Sequence, residues 1–425
     1  MRVFFLTLGC RVNQYETDAV RAQFIAAGHT VAERPEDADC LIVNTCTVTG
    51  EADRKSRQML RRMARSNPSA IVVAMGCASE LADGIVDADI VLGTRDKNQC
   101  LARVEEFAGT RSHATSHSRP EVSRTDTYHD FGTVLSPEGT RAFLKVEDGC
   151  NKFCTYCVIP FARGRVASSS EESAVSEARF LAQAGYREIV VSGIHVCSYG
   201  KDRGEDIMSL LVLLQKISDI DGIARIRLGS VEPMSLTPEF LTGLSRIGKA
   251  CPHVHLSLQS GSDTVLKRMN RDYISSEFEE KVNLIRSLFP NVSISTDIIC
   301  GFPGETDEEF EQTCDYASRI GFSKIHCFPY SLREGTVAAK MEQVAPEVKK
   351  ARNARLLKIS EELEKGFAEA QVGHEVTVLC EQDNSGYTAN YVRARISGDR
   401  KFEPGAFVKG RVTASSGTFV EVSPD

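Results

Sequence analysis

Three cysteines in one short loop give the clearest chemical signal in the sequence. Cys150, Cys154 and Cys157 follow the spacing C-x3-C-x2-C. Iron–sulfur clusters in proteins usually take four thiolates, so a loop that supplies three leaves one iron open to a substrate or cofactor. A structural zinc site is the alternative, but such sites usually pair two closely spaced modules, and no second pair lies near residue 150. The spacing therefore favours an iron–sulfur cluster with an open iron.

Three further cysteines follow predicted strands near the N-terminus. These strands are short apolar runs at Val3–Leu8, Cys40–Asn44 and Ala70–Met75. Cys10, Cys46 and Cys77 come directly after them, and the carboxyl ends of parallel strands open onto one crevice. A cysteine packed as a small hydrophobic residue is the alternative, and it suits Cys40, which lies inside its strand. We predict a second three-cysteine site in this crevice.

The pattern along the chain predicts the scaffold that would position these cysteines. Residues 1–108 alternate strand and helix patterns, with helices at Tyr15–Ala27 and Ala52–Arg65, which is typical of an open parallel α/β sheet. Residues 109–139 hold few aliphatic side chains and are predicted to be a linker. From 140 to 365 the alternation resumes, which favours a barrel or partial barrel of parallel strands. Its strands are predicted at Ala142–Val146, Glu188–Ser192, Arg225–Leu228, His253–Leu258, Ser293–Ile299 and Lys324–Phe328.

In the last part of the chain, the spacing of apolar residues changes from a helical to a strand-like period. A charged helix is predicted over about 345–370, and short alternating segments between Gly, Asp and Pro turns follow over about 371–425. We assign residues 366–425 to the last part of the chain. This pattern is typical of a small β-barrel. Its strands are predicted at Glu375–Leu379, Tyr391–Arg395, Phe407–Val412 and Phe419–Val422.

The composition is that of an ordinary globular protein in a reducing compartment. The 425 residues are 42% hydrophobic and 26% charged, and 14 cysteines occur without an evident disulfide framework. The N-terminal apolar run is too short for a signal peptide, and no stretch approaches the roughly 20 apolar residues that span a bilayer. We therefore expect a cytoplasmic protein.

The charge distribution contains one basic segment. The net charge is −7, but residues 54–65 hold six cations and no acid, among them Arg54, Arg57 and Arg61. A basic helix of this kind could bind a phosphate backbone. A solvated helix face is the alternative.

Taken together, these motifs resemble the methylthiotransferases, which are radical S-adenosylmethionine (SAM) enzymes that replace a C–H bond by C–S–CH3. The resemblance covers nearly the whole chain, including a C-terminal β-barrel of the type called TRAM. The segments 8–16 and 44–49 look most like the MtaB branch, although Arg11 stands where lysine is common. That branch acts on N6-threonylcarbamoyladenosine at tRNA position 37, just 3′ of the anticodon, and modifies C2 of the base. Neighbouring branches act on isopentenyladenosine in tRNA or on a ribosomal protein, and these are the alternative substrates.

The resemblance implies two 4Fe–4S clusters and two SAM molecules. Cys150, Cys154 and Cys157 would hold the SAM-cleaving cluster, while the N-terminal cysteines would hold an auxiliary cluster. No catalytic side chain is expected beyond these ligands and the cofactors. The residues implied to contact SAM are Tyr156, Ser192, Gly193, Ser230, Glu232, Gln259, Gly301 and Pro303.

The resemblance also implies partners. These are a tRNA anticodon stem-loop and an electron donor such as flavodoxin or ferredoxin. From the sequence itself we expect no membrane partner, and no feature requires more than a monomer. Because acids outnumber bases after residue 370, RNA would bind one face of the last barrel, which we predict to include Arg393 and Arg395. An RNA-binding iron–sulfur redox sensor is the alternative from another class. The segments that resemble a SAM site argue against a sensor, because a sensor does not need to bind SAM.

Overall fold

The structure is a computed structural model that describes residues 1–81, 87–110, 126–135 and 139–425. Its N-terminal part is a five-stranded parallel sheet in the order β2-β1-β3-β4-β5. The elements are β1 (Arg2–Thr7), α1 (Arg11–Ala26), β2 (Thr30–Val31), β3 (Cys40–Thr45), α2 (Gly50–Ser66), β4 (Ile71–Gly76), α3 (Cys77–Leu81), β5 (Ile90–Leu92) and α4 (Cys100–Thr110). The predicted open α/β sheet is confirmed.

The middle strand of this sheet is buried on both faces because helices cover each side. Every residue of β3 is buried, including Cys40, which packs in the core as predicted. Ile42 packs with Phe24 of α1 on one face, whereas Leu41 packs with Leu60 of α2 on the other. Such two-sided burial is typical of parallel strands, and it fixes the positions of the turns that follow them.

The central part forms a partial barrel of parallel strands. Two sheets in the orders β10-β9-β6 and β11-β12-β13-β14 adjoin where β10 runs into β11 through Gly229. The strands are β6 (Ala142–Lys145), β9 (Glu188–Ser192), β10 (Arg225–Leu228), β11 (Ser230–Val231), β12 (His253–Leu256), β13 (Ser293–Cys300) and β14 (Lys324–Pro329), and β7 (Glu147–Asp148) pairs with β8 (Ala167–Ser168) as an antiparallel ribbon. The six predicted barrel strands are confirmed.

Helices lie between the strands of the central part. They are α5 (Ile159–Arg163), α6 (Glu171–Gln183), α7 (Met208–Ser218), α8 (Pro238–Arg246), α9 (Asp263–Arg268), α10 (Ser275–Leu288), α11 (Asp307–Ile320) and α12 (Pro346–Glu369). The long helix α12 binds the last barrel strand, since the Ser360 hydroxyl accepts from the backbone N–H of Ile325 at 3.1 Å. The predicted boundary between the central barrel and the C-terminal barrel, at 365/366, falls inside α12 and stays a prediction.

The C-terminal part is a closed β-barrel in the order β15-β16-β17-β19-β18. Its strands are β15 (Glu375–Cys380), β16 (Ser385–Thr388), β17 (Arg393–Ile396), β18 (Phe407–Ser416) and β19 (Phe419–Pro424). The predicted small barrel is confirmed. Strand β16 was not predicted, because its sequence SGYT has few β-branched residues and no apolar alternation.

Part of the predicted linker, residues 109–139, is not among the residues that the structure describes. Of residues 109–139, helix α4 takes the first two, and 111–125 and 136–138 are not among the described residues. The stretch 126–135 packs between the first two parts of the chain. There the Tyr128 hydroxyl donates to the Lys145 carbonyl oxygen at 2.6 Å, and buried Val134 donates its N–H to Glu177 at 3.2 Å. In the described parts of the chain, none of the helices has the length and apolar character that crossing a membrane requires.

Candidate functional site

The three N-terminal cysteines lie around one cavity at the carboxyl edge of the first sheet. Cys10 precedes α1, Cys46 follows β3 and Cys77 begins α3. All three line a cavity of about 820 Å³, where Cys46 and Cys77 are almost fully buried and Cys10 is exposed. The strand ends thus bring together side chains that are far apart in sequence.

Two glycines with left-handed backbone angles make this approach possible. Gly9 and Gly76 have φ of +101° and +106°. A Cβ atom at Gly9 would lie 2.7 Å from Cys46 Sγ, and one at Gly76 would lie 2.4 Å from Asn44 Oδ1. Only glycine combines this φ with this close packing, so the turns before Cys10 and Cys77 are specific to it.

We expect Gly76→Ala to displace Cys77. The new Cβ would also lie 2.6 Å from the Thr45 carbonyl oxygen, which is backbone and cannot rotate away. We expect a loss of about 1–3 kcal/mol in the free energy of unfolding and a lower content of bound iron. Gly28→Ala is the matched control, because Gly28 has φ +84° but no atom within 4 Å of a new Cβ. Equal iron content in the two variants, measured after reconstitution, would contradict this account.

The charges beside these cysteines suit an anionic metal–thiolate group. Burial raises the pKa of the Cys46 thiol to about 11 and also raises the pKa of Cys77, where Arg163 and Lys97 act in the opposite direction. Thiolates become stable there once a metal or a cation compensates for the loss of hydration.

A buried ion network supplies that compensation. The side chains of Lys97, Lys145 and Arg163 are fully or almost fully buried and contact the carboxylates of Glu16 and Asp148, which leaves a net positive charge. Arg163 donates to Glu16 Oε1 at 2.8 Å and to Asn13 Oδ1 at 2.6 Å. Asn13 Oδ1 in turn lies 4.0 Å from Cys77 Sγ. The three N-terminal thiols and this network together fit an iron–sulfur cluster.

The second cysteine group lies in the loop after β7. The Cys157 N–H donates to the Cys154 carbonyl oxygen at 2.9 Å, and Phe153 between the first two cysteines has a left-handed φ of 48°. Burial raises the pKa of Cys150 to about 11 and of Cys157 to about 12, while backbone N–H groups donate to both sulfurs.

A cation supports the remaining thiol of this loop. Arg271 Nη1 lies 3.4 Å from Cys154 Sγ. Sulfur atoms that accept hydrogen bonds in a compact loop fit the sulfur ligands of a cluster, because such bonds and nearby charge tune it. The hydrogen bonds to Cys150, Cys154 and Cys157 therefore suit sulfur ligands of the predicted cluster, and binding of a cluster by these three thiols stays a prediction.

A short helix connects the two cysteine groups. Helix α5 starts two residues after Cys157 and ends at Arg163, which carries the buried network described above. The Thr94 hydroxyl, from the N-terminal part, donates to the Ala162 carbonyl oxygen at 2.6 Å. The two groups therefore lie on either side of the junction between sheet and barrel.

Three of the residues predicted to contact SAM line the same cavity as the N-terminal cysteines. These are Ser192, which ends β9, Gly193, which follows it, and Ser230, which begins β11. A Cβ at Gly193 would lie 2.5 Å from Glu147 Oε2, so the backbone approaches this buried carboxyl closely. Burial raises the pKa of Glu147 well above its ordinary value.

The other predicted SAM contacts lie outside this cavity, and two of them are tied to the loop of Cys150. Glu232 Oε2 is 3.6 Å from Lys152 Nζ, and the Tyr156 ring packs edge-on against Phe302 with centroids 6.5 Å apart. Phe302 lies between the remaining pair, Gly301 and Pro303. Gln259 follows β12 with a left-handed φ of 73° and donates its N–H to the Asp297 carbonyl oxygen at 2.8 Å. Their roles toward SAM stay predictions.

Polar residues on three barrel strands form a wall of the cavity that was not predicted from the sequence. His255 Nε2 lies 3.1 Å from Asp297 Oδ2, and the rings of His255 and His326 are 5.4 Å apart. The ligand atoms of these three side chains lie within 4.8 Å of one another, a spacing that would accommodate a cation. The sequence contains a pattern that could have predicted this wall. Polar residues recur along β12, β13 and β14, whereas buried parallel strands are usually apolar throughout.

The C-terminal barrel closes one end of the cavity with two stacked tyrosines. The rings of Tyr387 and Tyr391 lie 4.7 Å apart, and both residues line the cavity. Arg225 and Arg227 of β10 attach this barrel by donating to backbone carbonyl oxygens, including that of Ala389 at 3.0 Å from Arg227 Nη1. All three parts of the chain therefore contribute to one cavity.

The predicted RNA-binding arginines are exposed. Arg54, Arg57 and Arg61 lie on α2, but Arg57 pairs with Asp53 at 2.9 Å and Arg61 with Asp87 at 3.1 Å. Such surface pairs are weak, so they leave the arginines able to exchange partners. On β17, Arg393 and Arg395 point outward and Ala394 inward, as the alternation predicted, and Arg393 also lines the cavity. Binding of RNA by these residues stays a prediction.

Comparisons with known sequences give a consistent result. Residues 144–317 match the radical SAM superfamily, and residues 2–92 match the family described as uncharacterized protein family UPF0004. The chain is 37% identical to the threonylcarbamoyladenosine tRNA methylthiotransferase MtaB of Bacillus subtilis, covering 100% of this chain and 97% of that protein. It is 41% identical to MtaB of Aquifex aeolicus, covering 94% of this chain and 97% of that protein.

Related sequences also include the neighbouring branch. The chain is 34% identical to a tRNA-2-methylthio-N(6)-dimethylallyladenosine synthase of Pelotomaculum thermopropionicum, covering 88% of this chain and 86% of that protein. Among solved structures, the radical S-adenosylmethionine methyltransferase TsrM of Kitasatospora setae matches with a TM-score of 0.56 and 18% identity, covering 80% of this chain and 75% of that one. At this identity the structural match supports the fold alone.

Proposed function

The chain belongs to the radical SAM methylthiotransferase family, in the branch of the MtaB enzymes, and we propose from this that it adds a methylthio group to tRNA. Its substrate is N6-threonylcarbamoyladenosine at position 37, and the product carries the methylthio group on C2 of the base. The observation behind this proposal is the single cavity that joins three cysteines of the first sheet to the strand ends of the barrel.

The cofactors are iron–sulfur clusters and SAM, and the chain offers two sets of three thiolates to hold the clusters. When bound, these groups supply the one-electron chemistry that removes hydrogen from an unactivated C–H bond, and the sulfur that replaces it. The residues proposed to hold them are Cys150, Cys154 and Cys157 on the barrel side, and Cys10, Cys46 and Cys77 on the sheet side.

The protein's own side chains position the reactants and exclude water. Cys46 and Cys77 are 4% and 2% exposed, so two of the three thiols on this side of the cavity are shielded from bulk water, whereas Cys10 is exposed. Arg163, fully buried, joins the first sheet to the loop of the second cysteine group and limits relative motion of the two. Rates of reactions between separately held groups depend strongly on such positioning, because misplacement by about 1 Å can cost on the order of 100-fold.

A complementation experiment tests the proposed function. The chain is expressed in a bacterial strain that lacks its own enzyme for this modification, and the nucleosides of total tRNA are analysed by mass spectrometry. We expect 2-methylthio-N6-threonylcarbamoyladenosine from the wild-type chain and none from a variant without Cys154. Absence of this nucleoside, at normal protein levels, would refute the proposal.

Binding of tRNA is proposed to involve the outer face of β17. We expect the double change Arg393→Glu and Arg395→Glu to weaken anticodon stem-loop binding by more than about 10-fold at low salt, since phosphate contacts dominate such affinities. Lys358→Glu with Lys365→Glu is the control, because it changes the net charge equally on exposed positions of α12. Fluorescence anisotropy measures both, and unaltered affinity in the β17 variant would exclude this face.

A further inference from the structure

The end of the cavity closed by the C-terminal barrel places two guanidinium groups and one imidazole ring around one tyrosine. Arg11 Nη2 donates to the Tyr391 hydroxyl at 2.9 Å, and the Arg227 guanidinium carbon lies 4.5 Å from the Tyr391 ring centre. The His253 ring is 4.7 Å from the same ring. Arg11 follows Cys10 directly in the chain, so this cationic end adjoins the sulfur-bearing side of the cavity.

Two of these groups have buried polar atoms with no partner within the described residues. The Arg227 side chain is only 1% exposed, yet its Nη2 donates no hydrogen bond, and His253 Nδ1 is also unpartnered. Both residues line the cavity. Buried donors are nearly always satisfied in native proteins, so these two nitrogen atoms have unused hydrogen-bonding capacity beside the cavity.

The charge balance at this end also favours an anionic ligand. Glu188 is shared by Arg225 and Arg227, at 3.5 and 3.0 Å, so one carboxylate serves two guanidinium groups. Across the part of the chain that the structure describes, Arg11 forms no ion pair at all, and its side chain is exposed to the cavity. The acids of the cavity wall already have cationic or histidine partners, as Asp297 with His255 and Glu364 with Lys324 illustrate.

Tyr391 itself is held in an unusual conformation by its neighbours. Its φ of 66° lies in the left-handed region that residues other than glycine adopt rarely. Burial acts to raise the pKa of its hydroxyl, but Arg11 and Arg141 outweigh burial and hold that pKa below its ordinary value. Conformational strain of this kind persists where the surroundings fix a residue, and it is concentrated at ligand sites.

We propose that Arg11, Arg227 and His253, arranged around Tyr391, bind the carboxylate of the amino-acid substituent on N6 of the target adenosine. This inference rests on the proposed function, and it identifies the residues that would select a threonylcarbamoyl group over an apolar isopentenyl group. A guanidinium can give two parallel N–H bonds to one carboxylate, and an isopentenyl group would leave those donors buried and unpaired. The proposal requires the base to lie with C2 toward the cysteines and its N6 substituent toward Arg11.

The test compares two anticodon stem-loops that differ only in the carboxylate. One carries N6-threonylcarbamoyladenosine as the free acid and the other carries its methyl ester, and both are offered to the reconstituted enzyme and to Arg11→Gln. We expect the wild type to bind the acid about 10- to 100-fold more tightly than the ester, and Arg11→Gln to lose most of this preference. Arg11→Lys, which keeps the charge, should retain an intermediate preference.

Additional measurements separate binding from turnover and from loss of the clusters. Binding is measured without reductant, so that affinity is separated from turnover, and iron content shows that each variant is loaded. Tyr391→Phe, which removes only the hydroxyl that accepts from Arg11, should reduce the preference several-fold with the fold intact. Equal binding of acid and ester by the wild type would overturn the proposal, as would an undiminished preference in Arg11→Gln. Absence of any methylthio product from the free acid, with tight and acid-selective binding, would instead refute the proposed function and leave the site as a carboxylate-binding pocket.

Discussion

The Cys154→Ala variant is expected to form no 5′-deoxyadenosine from SAM, whereas the wild type forms it readily under reducing conditions. Cys154 is one of three thiols in a single loop, and Arg271 donates to its sulfur at 3.4 Å. Residues that merely support a metal ligand typically contribute about 10- to 100-fold, so loss of a ligand should reduce cleavage by more than about 100-fold.

Liquid chromatography of the reduced, anaerobic reaction measures this prediction directly. Cys327→Ala is the matched control, because Cys327 is also a partly exposed barrel cysteine and is expected to bind no cluster. Equal cleavage by Cys154→Ala and the wild type would contradict the assignment of the loop. No cleavage even by the wild type would instead favour the redox-sensor alternative.

The Cys46→Ala variant should separate the two halves of the reaction. Cys46 lies in the first sheet, so its removal affects the auxiliary group but leaves the barrel loop intact. We expect it to retain measurable SAM cleavage, within about 10-fold of the wild type, while methylthio product falls below detection. The measurement is the ratio of 5′-deoxyadenosine to methylthio nucleoside in one reaction.

Folding is the main confounding factor for this variant, and a neighbouring cysteine controls for it. Cys40 lies within β3, fully buried and away from the cavity lining, so Cys40→Ala should lower stability without changing the product ratio. Circular dichroism establishes that both variants are folded. Parallel loss of cleavage and product in folded Cys46→Ala would refute the division of labour between the two cysteine groups.

The sequence predicted those parts of the site that follow from simple periodicity. Strand ends could be located from apolar runs, which is why the convergence of Cys10, Cys46 and Cys77 could be expected before the fold was known. The loop of Cys150 was evident from spacing alone. Alternation likewise placed Arg393 and Arg395 on the outer face of the last barrel.

Features that depend on contacts between distant segments could not be predicted in this way. Arg163 stands in an ordinary helical segment, and only the packing of α5 on the first sheet makes it a buried partner of Glu16. The pairing of Arg11 with Tyr391 joins residues 380 positions apart. Hydrophobic patterns specify which face of an element is buried, but they do not specify which polar side chains meet across a junction.

The most direct test of the account is an anaerobic reaction of the reconstituted enzyme with SAM, reductant and three anticodon stem-loops. These carry threonylcarbamoyladenosine, isopentenyladenosine or unmodified adenosine, and the products are identified by mass spectrometry. We predict a methylthio product from the threonylcarbamoyl substrate alone. Product from the isopentenyl substrate alone, or 5′-deoxyadenosine without any methylthio nucleoside from all three, would contradict the account.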